Sequence, residues 1–130
     1  MWLKVDYHSG IPIYRQIIEF IKEAIMEGRL KPGDQLMSVR ELARDINVNV
    51  NTVIKAYKEL ENEGLIVAHK GLGYFVTRNG EYLKSMIVDM LKRDMKELME
   101  KFKKMNMNME EVIEITRKMW ECDKDDGGKG

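Results

Sequence analysis

At 130 residues, 44% hydrophobic and 34% charged, the chain is long enough for one ordinary domain or a small domain with an appendage, and too apolar for a disordered tail. Its 22 Lys and Arg balance 22 Asp and Glu, with 11 basic and 10 acidic groups in residues 1–79 and 11 and 12 in residues 80–130. That balance excludes a global field drawing the chain to nucleic acid or membrane, so any binding surface must rest on placement.

After a short, strand-like start, Pro12 suits the first turn of a helix, where its missing N–H would be unpaired in any case. Ile13, Ile17, Phe20, Ile21, Ala24 and Ile25 recur at helical spacing, and Gly28 follows as a stop signal. Pro32-Gly33-Asp34 reads as a turn. A second helix is predicted to begin at Ser38, with Glu41 at capping-box spacing and Leu42, Ala43 and Ile46 as its apolar face. Asn47-Val48-Asn49-Val50-Asn51 interrupts it with residues that prefer turns and caps. A third helix is predicted over residues 51–63, with Val53, Ile54, Ala56, Tyr57 and Leu60 apolar and Gly64 ending it.

Leu65-Ile66-Val67-Ala68 and Tyr74-Phe75-Val76-Thr77 then read as two strands around a glycine-bearing connection, His69-Lys70-Gly71-Leu72-Gly73. Beyond residue 80 the pattern changes. Val88, Leu91, Met95, Leu98, Phe102 and Met105 follow the steps of a heptad seam, with Tyr82, Met86 and Met90 as a second row. Asn106-Met107-Asn108 breaks this helix. Asn108 and Glu111 repeat the capping-box spacing, and Met109, Val112, Ile113, Thr116, Met119 and Trp120 stripe a last helix. Residues 123–130 are expected to fray.

Helix, turn, helix capped at Ser38, turn, helix, then a glycine-tipped hairpin is the order of a winged helix-turn-helix. The fold class expected is mainly α with a small β-hairpin wing: a DNA-binding domain over 1–78, a two-helix dimerisation extension over 79–122, and a disordered tail over 123–130. A helix entering a major groove about 12 Å wide needs short polar side chains at its amino end, and Asn49, Asn51 and Thr52 are of that type. Lys55, one turn on, is placed for phosphate or guanine. Lys70 beside Gly71 and Gly73 suits a wing whose backbone approaches a phosphate.

Six motifs, in this order, resemble the GntR family, and within it the YtrA-type branch with its short helical pair. They are Pro12-Ile13-Tyr14-Arg15-Gln16-Ile17, Gly28 with Leu30-Lys31-Pro32-Gly33-Asp34, Ser38-Val39-Arg40-Glu41-Leu42-Ala43, Asn51-Thr52-Val53 with Lys55-Ala56-Tyr57, Leu60-Glu61 with Glu63-Gly64-Leu65-Ile66, and Gly71-Leu72-Gly73-Tyr74-Phe75-Val76. The motifs span about residues 5–78, and the tail matches by length and pattern. The resemblance implies a transcription regulator, most often a repressor, that binds double-stranded operator DNA as a homodimer. It gives DNA contacts to Ser38, Arg40, the Asn49–Lys55 stretch and the Lys70–Gly73 tip. Met37 and Val50 stand where the family commonly has proline, and arginines of many relatives' recognition helices are absent here.

Plainer readings stay beside these. Asn49 and Asn51 suit helix capping, Arg40 and Lys55 suit a solvated face, and Gly71 and Gly73 suit any tight hairpin. Tyr14, Tyr57, Tyr74 and Phe75 occupy apolar positions and read as core. The tail's helices either pack only on each other or dimerise through Leu91, Met95, Leu98, Phe102, Val112 and Met119. Two apolar rows exceed what one short partner helix covers, which favours the dimer. His8, His69 and Cys122 lack metal-site spacing, no nucleophile adjoins a histidine, and neither cofactor nor catalysis is expected. A small apolar effector among the methionines stays open. A winged helix that binds protein rather than DNA is the rival reading. One cysteine, no leader-like start and no apolar run of about 20 residues predict a soluble cytoplasmic protein without membrane contact.

Overall fold

The structure is a computed structural model that describes residues 3–129, with side chains through residue 122. Its elements are α1 (Ile13–Met26), α2 (Val39–Asp45), α3 (Val50–Asn62), β1 (Ile66–His69), β2 (Gly73–Val76), α4 (Gly80–Lys104) and α5 (Met109–Lys129). Two compact units result, Met1–Ile87 and Val88–Gly130. The expected frayed tail at 123–130 lies outside the described side chains.

In the first unit the caps set the boundaries. Pro12 stands at the cap of α1 itself, and its carbonyl accepts the Arg15 and Gln16 N–H groups at 3.1 and 3.2 Å. Ser38 caps α2: its hydroxyl accepts from the Glu41 N–H at 3.2 Å and donates to Glu41 Oε1 at 3.1 Å. Asn47 then takes φ of 55°, a left-handed conformation that asparagine tolerates better than most residues, and turns the chain between α2 and α3. At α3 the cap is Asn49, whose Oδ1 accepts from the Asn51 N–H at 2.8 Å. Asn79, not singled out in the sequence, caps α4 by accepting from the Tyr82 N–H at 3.0 Å.

α1, α2 and α3 surround one core in which Ile17, Val53, Tyr57, Leu60, Ile66 and Val76 are all but inaccessible. β1 and β2 pair antiparallel, Ile66 opposite Val76 and His69 opposite Gly73. A third segment joins them: Gln35 bridges Phe75, the Leu36 N–H donates to the Tyr74 carbonyl at 2.8 Å, and the Val76 N–H donates to Asp34 O at 2.7 Å. The turn at residues 32–34 thus feeds a third strand-like edge that ties the wing to the start of α2.

The first turns of α4 also belong to this core. Leu83 is buried, Met86 and Ile87 pack against the cluster, and the Tyr82 hydroxyl donates to the Glu63 carbonyl. Tyr82 and Met86, predicted as a second row beside the heptad seam, are therefore spent on the first unit. Tyr57 is buried core as expected, and Tyr14, Tyr74 and Phe75 are half-buried.

The second unit is a helical hairpin. Asn106, at φ of 60°, turns the chain, and Asn108 and Glu111 form the predicted reciprocal capping box, with bonds of 2.8 and 3.2 Å. Among its described residues none is buried.

Candidate nucleic-acid interface

The amino end of α3 is built as a projecting tip. Val53, Ala56, Tyr57 and Leu60 take the inner face, which leaves Asn49, Val50, Asn51, Lys55 and Lys58 exposed on the outer one and Thr52 half-buried. Asn49 spends its side-chain oxygen on the cap. The Asn51 side chain makes no hydrogen bond among the described residues, so its amide can both donate and accept outward. α2 packs beside α3, with Arg40 exposed on it and Ser38 held in its cap. The Tyr57 hydroxyl donates to the Met37 carbonyl at 2.6 Å and fastens α3 to the entry of α2. Burial pushes this phenol well above its ordinary value near 10.

Lys55 lies differently from a free surface cation. Its ammonium sits 4.0 Å from the centroid of the Tyr14 ring, and Arg15 lies 6.0 Å from that same centroid. The adjoining Tyr14 phenol, more than the fields of Glu59 and Glu19, holds the Arg15 guanidinium above its ordinary range. Sequence reading left Tyr14 as core and gave Arg15 no role. Their meeting with Lys55 depends on the packing of α1 against α3, which no local pattern reports.

At the hairpin tip Lys70, Gly71 and Gly73 are all exposed. Gly73 has φ of 111°, and an added Cβ would come within 3.3 Å of the Gln35 amide nitrogen. That amide donates to the Leu72 carbonyl at 2.7 Å, so the tip is braced from the preceding turn. Only glycine meets both demands at position 73.

The amino-terminal arm, expected from sequence to be strand-like, forms no strand over residues 3–12 and is instead tied down by side-chain bonds. Gln16 accepts the Asp6 N–H at 2.8 Å and donates to the carbonyls of Asp6 and Ile11 at 2.8 and 3.0 Å. From the arm, the Tyr7 hydroxyl donates to the carbonyl of Ile46, where α2 ends and the turn into α3 begins.

Of the tail positions predicted to pair two chains, Leu91, Met95, Leu98 and Met119 are exposed, and Phe102 and Val112 are half-buried. Between α4 and α5 runs an apolar groove of about 620 Å³, lined by Met95, Met99, Phe102, Val112, Ile113 and Trp120 among others. Among the described residues no group of three or more His, Cys, Asp or Glu is placed to hold a metal ion.

The signature of bacterial regulatory proteins of the gntR family matches residues 13–76. The transcriptional repressor YtrA of Bacillus subtilis is 46% identical over 100 residues, covering 74% of this chain and 75% of that protein. The chain belongs to the GntR family.

A GntR family transcriptional regulator from Listeria monocytogenes superposes with a TM-score of 0.77 at 32% identity, covering 86% of this chain and 98% of the other. AraR(DBD), solved in complex with operator ORX1, matches 59% of this chain and 93% of its own at a TM-score of 0.51 and 27% identity. This GntR protein is a DNA-binding transcription regulator on a winged helix-turn-helix, and its relatives are regulators, not enzymes.

Proposed function

We propose that this chain represses transcription as a homodimer, each copy setting the amino end of α3 into the major groove of one half of an inverted-repeat operator. The exposed tip of α3 carries this reading. Asn51 sits in the first turn with its amide unspent, and an Asn there can pair bidentately with adenine. Arg40, Thr52 and Lys55 would flank it, while Ser38 and Asn49 act by fixing the helix starts. Lys70 and the backbone of Gly71 and Gly73 would meet phosphate at the wing.

Homodimerisation is supported by the tail. Leu91, Met95 and Leu98 are 44%, 59% and 52% exposed on one helix, and the described part of the second unit buries nothing. A second copy would cover this surface through Leu91, Met95, Leu98, Phe102, Val112 and Met119. Two recognition helices would then address half-sites about 34 Å apart, or a multiple of that distance. Repression is the activity named for the Bacillus subtilis relative. A cytoplasmic location suits a DNA-bound regulator, and among the described residues no helix is long and apolar enough to cross a membrane.

Selection of bound duplex from a random pool tests the proposal. An inverted repeat should emerge, bound with an affinity that falls steeply as salt rises and counterions are released. Failure to retain any duplex at low ionic strength would overturn it.

A further inference from the structure

The geometry points to a phosphate clamp formed by Arg15 of α1 and Lys55 of α3 on the ring of Tyr14, separate from base readout by Asn51 and from the wing. The inference rests on the DNA-binding reading and extends it to a helix not otherwise assigned a contact.

Three observations carry it. Lys55 and Arg15 converge on one aromatic ring, at 4.0 and 6.0 Å from its centroid. Their separation is therefore bounded at about one Debye length in 0.1 M salt, about 10 Å, so each feels the other's charge. Second, neither is ion-paired among the described residues, although carboxylates of Glu19 and Glu59 lie near enough to act on Arg15 through space. Two like charges gathered in this way, with no carboxylate within ion-pair distance of either among the described residues, form a site that an anion completes. Third, both are exposed, and Lys55 lies one helical turn beyond the Asn51 tip.

The ring explains why the ligand is a phosphate and not a base. An ammonium on an aromatic face is held in place while its N–H groups remain directed to solvent. That places a point charge beside the duplex backbone at little further loss of side-chain entropy. A lysine reading guanine would instead have to leave the ring and extend along the groove. The guanidinium of Arg15 adds the planar fork that suits phosphate oxygens.

The test measures affinity of the full-length protein for its selected operator and for an unrelated duplex across a salt series. Loss of one phosphate contact removes about 0.9 from the slope of log affinity against log salt. Between 50 and 200 mM salt, Arg15→Ala should then lose about threefold less affinity than the unaltered protein. Operator and unrelated duplex should weaken by the same factor. Tyr14→Leu and Lys55→Ala should be non-additive, the second costing little once the ring is gone. Lys96→Ala, an equal loss of charge on α4, should leave the slope unchanged.

An unchanged slope in Arg15→Ala, or an equal drop in Lys96→Ala, would overturn the clamp while leaving DNA binding intact. A change in sequence preference on Lys55→Ala would return that residue to base readout. An unaltered protein that binds no duplex would sink the DNA-binding reading itself, a distinguishable result.

Discussion

The two units of this chain use apolar residues at the same helical spacing to opposite ends. In Met1–Ile87 three helices, a two-stranded wing with its bridging segment at Gln35, and the start of α4 close around Ile17, Val53, Leu60 and Ile66. In Val88–Gly130 two helices offer each other one face apiece, and Met95 and Met119 stay 59% and 62% exposed. Periodicity thus announces an apolar face, whereas enclosure depends on how many elements surround it. Since full burial of one such side chain contributes about 1.5–3 kcal/mol, the exposed side chains of the second unit are a reserve of stabilisation on which the proposed homodimer would draw.

The largest expected effect would come from breaking that reserve. Leu98→Glu combined with Phe102→Glu should give monomers in sedimentation and lower operator affinity by about 10²–10⁴-fold, as two linked binding events become one. The thermal unfolding of the first unit should hardly move. A dimer that survives these charges would remove the contrast between the units. The converse experiment strikes the closed core: Leu60→Ala should lower stability to denaturant by about 2–5 kcal/mol through a cavity that α1 and α3 cannot refill.

Tyr57→Phe probes the same core more gently. It leaves the Met37 carbonyl without its donor and should reduce stability by about 1–3 kcal/mol. Because burial raises the folded-state pKa of this phenol, its contribution is complete below pH 10 and fades as the pH climbs beyond it. The Phe variant should lack that alkaline limb in a pH series of melting curves. Smaller in stability, though specific in binding, is Asn51→Ala, which should cost about 1–3 kcal/mol at a single base pair of the selected operator. A uniform loss across all sequences would move Asn51 to the backbone. Smallest is Ser38→Ala, which should lower stability by about 1 kcal/mol in chemical unfolding through loss of the α2 cap.

What could be read in the sequence was whatever is decided within a turn or two. Ser38 with Glu41 and Asn108 with Glu111 declare their helix starts because both partners lie three residues apart. Gly71 and Gly73 mark a hairpin for the same local reason. The arm was illegible because Tyr7 finds its acceptor at Ile46 and Gln16 reaches back to Asp6, pairings set by the packed fold. Gln35 reads as an ordinary polar residue until the turn at Gly33 lays it along β2. Leu83 looks like any other leucine of α4, and only the core it enters distinguishes it from exposed Leu91. Among the DNA-facing candidates, residue types pointed to the tip of α3, yet the ring beneath Lys55 lies 41 positions earlier in the chain.

The separation of tasks between Asn49 and Asn51 has an evolutionary consequence. Helix initiation is vested in one asparagine, while its neighbour two positions on holds nothing together. If residue 51 reads a base as proposed, descendants of a duplicated gene could exchange it, and with it the target promoter, while inheriting an undamaged scaffold. Under that proposal, regulatory networks built from such proteins can rewire by single steps, because the address would be carried where the architecture does not depend on it.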